Sequence, residues 1–191
     1  MPQLWVIAGP NGSGKTTLTR KRLVDRLPVV NPDEIARLAG QPAIGAGRQA
    51  LAERNQLLAA RQSFAVETTF SGHQELALMR DAKAAGYKVN LVFICTESPL
   101  ASIGRIRSRV QDGGHAVPRA DVERRYGRSL ANLPEGLAVA DRSWLLDNSR
   151  SRMRLIACIE HGQVKSVANN MPRWVRQQQL KVLEQAQGLS R

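Results

Sequence analysis

The sequence predicts an α/β fold in which helices cover both faces of a mostly parallel β-sheet. Short apolar runs alternate with longer segments of helical composition along the chain, which is the order that a doubly wound sheet requires. The length of 191 residues suits one such domain with a full core, and an apolar content of 42% supports a globular fold. We therefore expect residues 1–191 to form a single domain.

Several short apolar stretches are the candidate strands of this sheet. The strongest is residues 88–96, because its residues 91–95 are continuously apolar, as in a strand buried on both faces. The other candidates are residues 4–8, 28–31, 63–67 and 144–146, followed by a hairpin of residues 153–159 and 163–167. In a parallel sheet the ligand site lies at the carboxyl ends of the strands, so the residues that follow each strand are the functional candidates.

Segments of helical composition separate these strands. They are residues 15–25, 47–61, 73–85, 99–110, 119–132 and 172–187. Gly86 is expected to stop the third helix, and Pro99 lies near the start of the fourth. The hairpin and the last helix form a C-terminal appendage at about residues 153–187.

Composition limits the partners. Lys and Arg number 28 against 16 Asp and Glu, giving a net charge of +12, which predicts an anionic partner such as a nucleotide, nucleic acid, phosphorylated metabolite or acidic protein. Cys95 and Cys158 lie in apolar runs and are expected to be buried, reduced thiols. No apolar run is long enough to span a membrane and no signal peptide is recognised, so we expect a cytoplasmic protein.

A phosphate-binding loop follows the first strand. Residues 9–16 fit the pattern G-x-x-x-x-G-K-[ST] at every fixed position. They lie between a short apolar run and a segment that can continue as a helix. The predicted nucleotide-binding residues are Gly9, Pro10, Asn11, Gly12, Ser13, Gly14, Lys15, Thr16 and Thr17. Glycines let the backbone point its N–H groups at an anion, and the helix N-terminus adds positive potential. Lys15 is expected to reach the β- and γ-phosphates of ATP, and the Thr16 hydroxyl to bind Mg²⁺.

Acidic residues follow two other strands. Asp33 comes just after the second strand, where a carboxylate can take the proton from an attacking hydroxyl. It can also hold Mg²⁺ through water, or cap a helix that starts at Glu34. Glu67 closes the third strand and is followed by Thr68 and Thr69. These three residues are candidates to bind substrate hydroxyls. Alternatively, Glu67 holds the water shell of Mg²⁺ or is a solvated acid at the end of a strand.

An arginine-rich segment at about residues 99–133 is a candidate lid. Seven arginines against three acids lie between residues 105 and 128, and such side chains stabilise the charge that develops during phosphoryl transfer. We select Arg105, Arg109 and Arg128 as functional, with closure hinged near Gly113 and Gly114. The alternative interpretation is a solvated basic face. Asn148, at the end of the fifth strand, is a candidate contact to the nucleotide base.

Taken together, these motifs resemble those of the zeta-toxin-like P-loop kinases. The resemblance spans roughly residues 3–150 and rests on the motifs at residues 9–17, 31–36, 64–72, 113–118 and 124–129. It implies a kinase core with strand order 2-3-1-4-5, Asp33 as the catalytic base, Glu67 as a substrate-site acid, and Arg105 or Arg109 as a transition-state arginine. His115 falls near the place where the toxins have a second arginine, which makes it a candidate substrate contact.

The resemblance also implies a substrate and a partner. Zeta toxins phosphorylate a sugar hydroxyl of UDP-N-acetylglucosamine and are often silenced by a small antitoxin that blocks the ATP site. We therefore expect an ATP- and Mg²⁺-dependent kinase that acts on a small-molecule hydroxyl and has a small protein antitoxin. The alternatives are a nucleic-acid end kinase, which rests on the net charge, and a nucleotide-dependent binding protein without turnover.

Overall fold

A single sheet runs through the molecule. The computed structural model describes residues 1–40, 42–111, 116–178, 180 and 183, and for Ala43 and Arg109 the backbone alone. The seven strands are β1 (Gln3–Ala8), β2 (Val29–Val30), β3 (Phe64–Thr68), β4 (Lys88–Cys95), β5 (Arg142–Asp147), β6 (Arg154–Glu160) and β7 (Gln163–Val167). Their order is β2-β3-β1-β4-β5-β6-β7, with β1 to β5 parallel and β6 and β7 antiparallel. The predicted α/β class is confirmed, the first five strands have the order 2-3-1-4-5, and the C-terminal hairpin extends the same sheet.

Helices connect the strands and cover the sheet. They are α1 (Lys15–Arg22), α2 (Pro32–Ala39), α3 (Ala43–Ala59), α4 (Gln74–Ala84), α5 (Pro99–Gln111), α6 (Arg119–Val139) and α7 (Arg173–Gln177). α6 is longer than expected because it continues past Pro134. The C-terminal helix is described only as α7, and most of the remainder of residues 172–187 lies outside the described residues. No helix in the described ranges is long and apolar enough to cross a membrane.

Helix α2 begins at Pro32, two residues before the helix start at Glu34 that the sequence offered as an alternative. The side chain of Asn31 accepts hydrogen bonds from the backbone N–H groups of Asp33 and Glu34, at 3.0 and 3.4 Å. Pro32 takes the first helical position, where a missing N–H costs nothing. Asn31 is therefore the cap, and the interpretation of Asp33 as the helix cap is wrong.

Successive side chains of a strand point to opposite faces of the sheet, so the apolar core has two parts, one on each face. Leu4, Val6 and Ala8 of β1 belong to the larger cluster, which α3, α4, α6 and α7 cover. Ile7 points to the other face and packs with residues of β4, with the partly buried Leu18 of α1 against them. Helices therefore lie on both faces, as the sequence predicted.

The two cysteines are free thiols. Cys95 is buried and Cys158 is half-buried. Burial raises the pKa of the Cys95 thiol to about 12, so it stays protonated and chemically inert at neutral pH.

Asp141 fastens the end of α6 to the sheet. Its carboxylate accepts a hydrogen bond of 2.8 Å from the Val89 N–H and pairs with Lys83 at 3.1 Å. Burial alone would raise its pKa, but these two donors together outweigh burial and lower the pKa below the ordinary value.

A lowered pKa makes the Asp141 contribution sensitive to acid. The stabilisation is fully present above the ordinary pKa of about 4 and is lost as the pH falls through the lowered native value. We expect Asp141→Asn to lose about 1–3 kcal/mol of unfolding free energy at pH 7 and to show a shallower loss below pH 4 than the wild type. Urea unfolding at pH 3 to 7 measures both. The exposed Asp25 supplies the control, since Asp25→Asn should follow the wild-type curve; parallel curves for Asp141→Asn would contradict the assignment.

Candidate active site

The phosphate-binding loop passes so close to its neighbours that three positions require glycine. Gly9, Gly12 and Gly14 have φ angles of 136°, 73° and 103°, a region that residues with a Cβ atom rarely adopt. A Cβ atom at Gly9 would lie 1.9 Å from the Ile94 carbonyl oxygen, and one at Gly12 would lie 2.7 Å from the Ser102 carbonyl oxygen. The loop is thus pressed between the end of β4 and helix α5.

The interior of this loop is polar and incompletely paired. Lys15 is buried, and its ammonium group donates a hydrogen bond of 3.0 Å to the Pro10 carbonyl. Asn11 Oδ1 and Ser13 Oγ are buried without a hydrogen-bond partner in the described part of the chain. Because unpaired buried polar atoms are costly, these atoms fit a loop built to hold a polar ligand. The predicted loop residue Thr17 lies exposed in the first turn of α1.

Thr16 and Glu67 form the closest polar contact of the site. The Thr16 hydroxyl donates a hydrogen bond of 2.5 Å to Glu67 Oε1. Glu67 is only 7% exposed, and its Oε2 is buried without a partner among the described residues. A hydroxyl and a carboxylate side by side are hard oxygen ligands that suit Mg²⁺, so the residues present fit this ion.

Asp33 lies exposed in the first turn of α2. Its carboxylate has no hydrogen-bond or ion-pair partner within the described ranges, whereas the neighbouring Glu34 pairs with Arg20 and Arg37. Strand register brings it to the same edge as Glu67, because Val30 at the end of β2 is aligned with Val66 of β3. Asp33 is therefore exposed at the same sheet edge as Glu67.

The loop after β3 is shaped by its own hydroxyl groups. Thr68 Oγ1 accepts a hydrogen bond of 3.0 Å from the Phe70 N–H, and the hydroxyls of Thr69 and Ser71 lie 2.9 Å apart. The two threonines selected from the sequence thus take part in the folding of this loop beside Glu67.

Asn132 holds the same loop from outside, and the sequence analysis missed it. Its side-chain N–H₂ donates to the carbonyls of Phe70 and Gly72, both at 3.0 Å. Phe70 is fully buried with a φ of 57°, which is strained for a residue other than glycine. Gly136 lets the Phe70 ring approach, since a Cβ atom there would lie 2.8 Å from it. No local motif marks Asn132; only the pairing of α6 with this loop reveals it.

The candidate lid is partly anchored to the body of the protein. Tyr126 of α6 is buried and donates a hydrogen bond of 2.6 Å to the Thr96 carbonyl, and the Thr96 hydroxyl lies 2.9 Å from that of Ser102 in α5. Burial raises the pKa of Tyr126, so the phenol remains a proton donor. These contacts fix the parts of α5 and α6 nearest to the sheet.

The lid arginines have different surroundings. Arg105 donates a hydrogen bond of 3.4 Å to the Arg150 carbonyl. Arg128 is exposed and has no ion pair within the described ranges, whereas Arg119 and Arg124 are paired with Glu123 and Asp121 on their own helix. Arg109 is described only by its backbone in α5. His115 and the hinge glycines lie outside the described residues.

Comparison with known proteins places the chain in a family. Its residues 4–128 match the model of a family described as an AAA domain. The chain belongs to this AAA-domain family. A protein of Haemophilus influenzae that is described as uncharacterized shares 32% identity over 139 residues, which is 65% of this chain and 97% of the relative.

Solved structures with the same fold support the kinase-like architecture. The AvrRxo1-ORF1:-ORF2 complex with ATP matches with a TM-score of 0.73 at 19% identity, over 88% of this chain and 61% of the matched chain. The PezAT chromosomal toxin–antitoxin system of Streptococcus pneumoniae matches with a TM-score of 0.64 at 17% identity, over 100% of this chain and 88% of the matched chain. At these identities the likeness establishes the fold, and the resemblance to zeta-toxin-like P-loop kinases is confirmed at that level. A P-loop fold of this kind implies nucleotide binding.

Loss of the Asn132 contacts should loosen the loop after β3. We expect Asn132→Leu to cost about 0.5–1.5 kcal/mol of unfolding free energy, because the part-buried Phe70 carbonyl and the exposed Gly72 carbonyl lose their donor, and to speed amide exchange in residues 68–73. Hydrogen exchange measured by mass spectrometry reports the second effect. Asn55→Leu, at an exposed asparagine of α3, is the matched control. If amide exchange in residues 68–73 is the same in Asn132→Leu as in the wild type, the contacts within the loop are sufficient to order it without Asn132.

Proposed function

We propose that this protein is an ATP-dependent kinase that transfers the γ-phosphate to a hydroxyl of a small molecule. The proposal rests mainly on one observation: the phosphate-binding loop and two carboxylates lie at the same edge of the sheet. Glu67 is aligned with Ile7, just before the loop, and Asp33 follows a strand aligned with Val66. A nucleotide-gated switch has no acceptor hydroxyl to deprotonate, whereas a kinase that acts on a hydroxyl is helped by a base beside it.

The loop supplies the phosphate site in this proposal. Its backbone N–H groups and the N-terminus of α1 hold the phosphates, and Lys15 leaves the Pro10 carbonyl to bind the β- and γ-phosphates. Thr16 and Glu67 hold Mg²⁺, which when bound neutralises charge on the phosphate oxygens.

Asp33 acts as the base in the transfer step. It takes the proton of the acceptor hydroxyl while the hydroxyl oxygen bonds to the γ-phosphorus, and the bond from that phosphorus to the β–γ bridging oxygen breaks to release ADP. Arg105, Arg109 and Arg128 offer positive charge to the equatorial oxygens. Thr68, Thr69 and His115 are proposed acceptor contacts, together with Glu67 Oε2.

The first acceptor to test is UDP-N-acetylglucosamine. The resemblance to zeta toxins supplies this acceptor; among the fold relatives, PezAT is a toxin–antitoxin system and AvrRxo1-ORF1 was determined in a complex with ORF2. The same relatives support a small protein antitoxin as partner. If the kinase acts as a toxin, its induced expression in a bacterial host should slow growth, and an Asp33→Asn variant expressed at the same level should not.

A phosphate-transfer assay tests the function. The protein is incubated with γ-labelled ATP and Mg²⁺ in the presence of UDP-N-acetylglucosamine, a fractionated metabolite pool or an oligonucleotide, and labelled products are identified by mass spectrometry. We expect a small-molecule product, and an Asp33→Asn variant whose kcat is lower by about 10²–10⁴ with little change in ATP affinity. Label on the oligonucleotide would favour the end kinase instead, and ATP binding without any labelled product would leave a binding protein.

Glu67→Gln should shift the magnesium dependence. The amide keeps the shape of the carboxylate but removes its charge, so binding of Mg²⁺ beside Thr16 should weaken by about ten-fold, as expected for about 1.4 kcal/mol of lost charge interaction. Titration of activity against Mg²⁺ at saturating ATP measures this change. An effect on the acceptor KM alone, with the Mg²⁺ midpoint unmoved, would place Glu67 with the acceptor only.

A further inference from the structure

The loop that joins β5 to β6, residues 148–153, packs directly on the phosphate-binding loop. We call it the β5–β6 loop. The Asn148 side chain donates a hydrogen bond of 2.8 Å from Nδ2 to the Ser13 carbonyl, and its backbone N–H donates to the Cys95 carbonyl at 2.8 Å. A Cβ atom at Gly14 would lie 2.5 Å from Asn148 Nδ2 and 3.5 Å from Met153 Cε. Asn148 and Met153, at the two ends of the β5–β6 loop, therefore both pack closely against Gly14.

Asn148 is itself fixed by the residue before it. Asp147 is 3% exposed, and its carboxylate accepts hydrogen bonds from Ser149 Oγ at 2.5 Å, Arg154 Nε at 3.1 Å and Trp174 Nε1 at 3.2 Å. Trp174 of α7 is fully buried, with its ring centroid 5.9 Å from that of Phe93. Donors from β6 and α7, together with Ser149 of the loop itself, thus hold the start of the β5–β6 loop in one position, and all three donors lie outside residues 4–128.

The Ser13 carbonyl is a sensitive point of the phosphate-binding loop. Ser13 stands between two glycines of positive φ, so the chain there has many accessible conformations in the absence of outside contacts. A trans peptide is planar, with its C=O and N–H pointing in opposite directions. A donor that holds the Ser13 carbonyl outward therefore turns the Gly14 N–H inward, toward the space where an anion is held.

We propose that Asn148 is a positioning residue of the nucleotide site: it fixes the Ser13–Gly14 peptide so that the Gly14 N–H faces the phosphates. The inference rests on the proposed function only for the statement that ATP is the ligand. It assigns the asparagine to the phosphate-binding loop, in place of a contact to the base. It also gives the C-terminal segment, through Asp147, a part in nucleotide binding.

Binding measurements with two ligands test the inference without turnover. Isothermal titration calorimetry gives the Kd of ATP and of inorganic tripolyphosphate, which has the phosphates but no base, each with Mg²⁺. For Asn148→Leu and Asn148→Ala we expect both Kd values to rise by about 3–10-fold, the range for one lost hydrogen bond. The alanine variant removes the amide without adding bulk, and urea unfolding verifies that each variant is folded.

The pattern across the two ligands decides the assignment. A rise for ATP alone would overturn the inference and make Asn148 a base contact, and unchanged Kd values for both ligands in folded variants would overturn it as well. Asn169→Leu, at an exposed asparagine, should leave both values as in the wild type. A wild-type protein that binds both ligands but labels no acceptor would refute the proposed kinase activity and leave this test intact.

Discussion

The closeness of the phosphate-binding loop to its surroundings is the constraint on which the site depends. Backbone carbonyls of β4 and α5 and the amide of Asn148 occupy the space that side chains at Gly9, Gly12 and Gly14 would need. The loop therefore has its shape because strands, a helix and a second loop surround it, rather than because its own residues prefer that shape. This dependence connects the site to distant parts of the chain, since a change in any of the surrounding elements alters the backbone that would hold the phosphates.

Parallel register explains why groups far apart in sequence meet at one edge. β1, β2 and β3 end at nearly the same level, so the loop, Asp33 and Glu67 follow three neighbouring strands. In the proposed function, arginines of α5 and α6 would add the positive charge that an anionic ligand requires.

The sequence predicted the sheet order and the loop well because both have strong local or family signals. The phosphate-binding motif has fixed positions, and the apolar runs of β1 and β4 are unmistakable. The start of helix α2 was misplaced, because the sequence offered Asp33 as the cap of a helix from Glu34, whereas Asn31 caps the helix through its side chain and Pro32 takes the first helical position. Asn132 and Asn148 were beyond reach as positioning residues, because each acts on a backbone carbonyl more than 50 residues away and such contacts leave no pattern in the local sequence.

The two ends of the sheet differ from its centre in a way that bears on solubility. β2 is only two residues long, and β7 at the other edge is short and carries Lys165 among mostly exposed polar residues. An edge strand with free N–H and C=O groups is a template for strands of other molecules, and short length and lysine charge both discourage such pairing. The apolar β4 lies in the middle, flanked on both sides. Because β4 is paired on both sides, the most continuously apolar strand offers no free edge to a strand of another molecule.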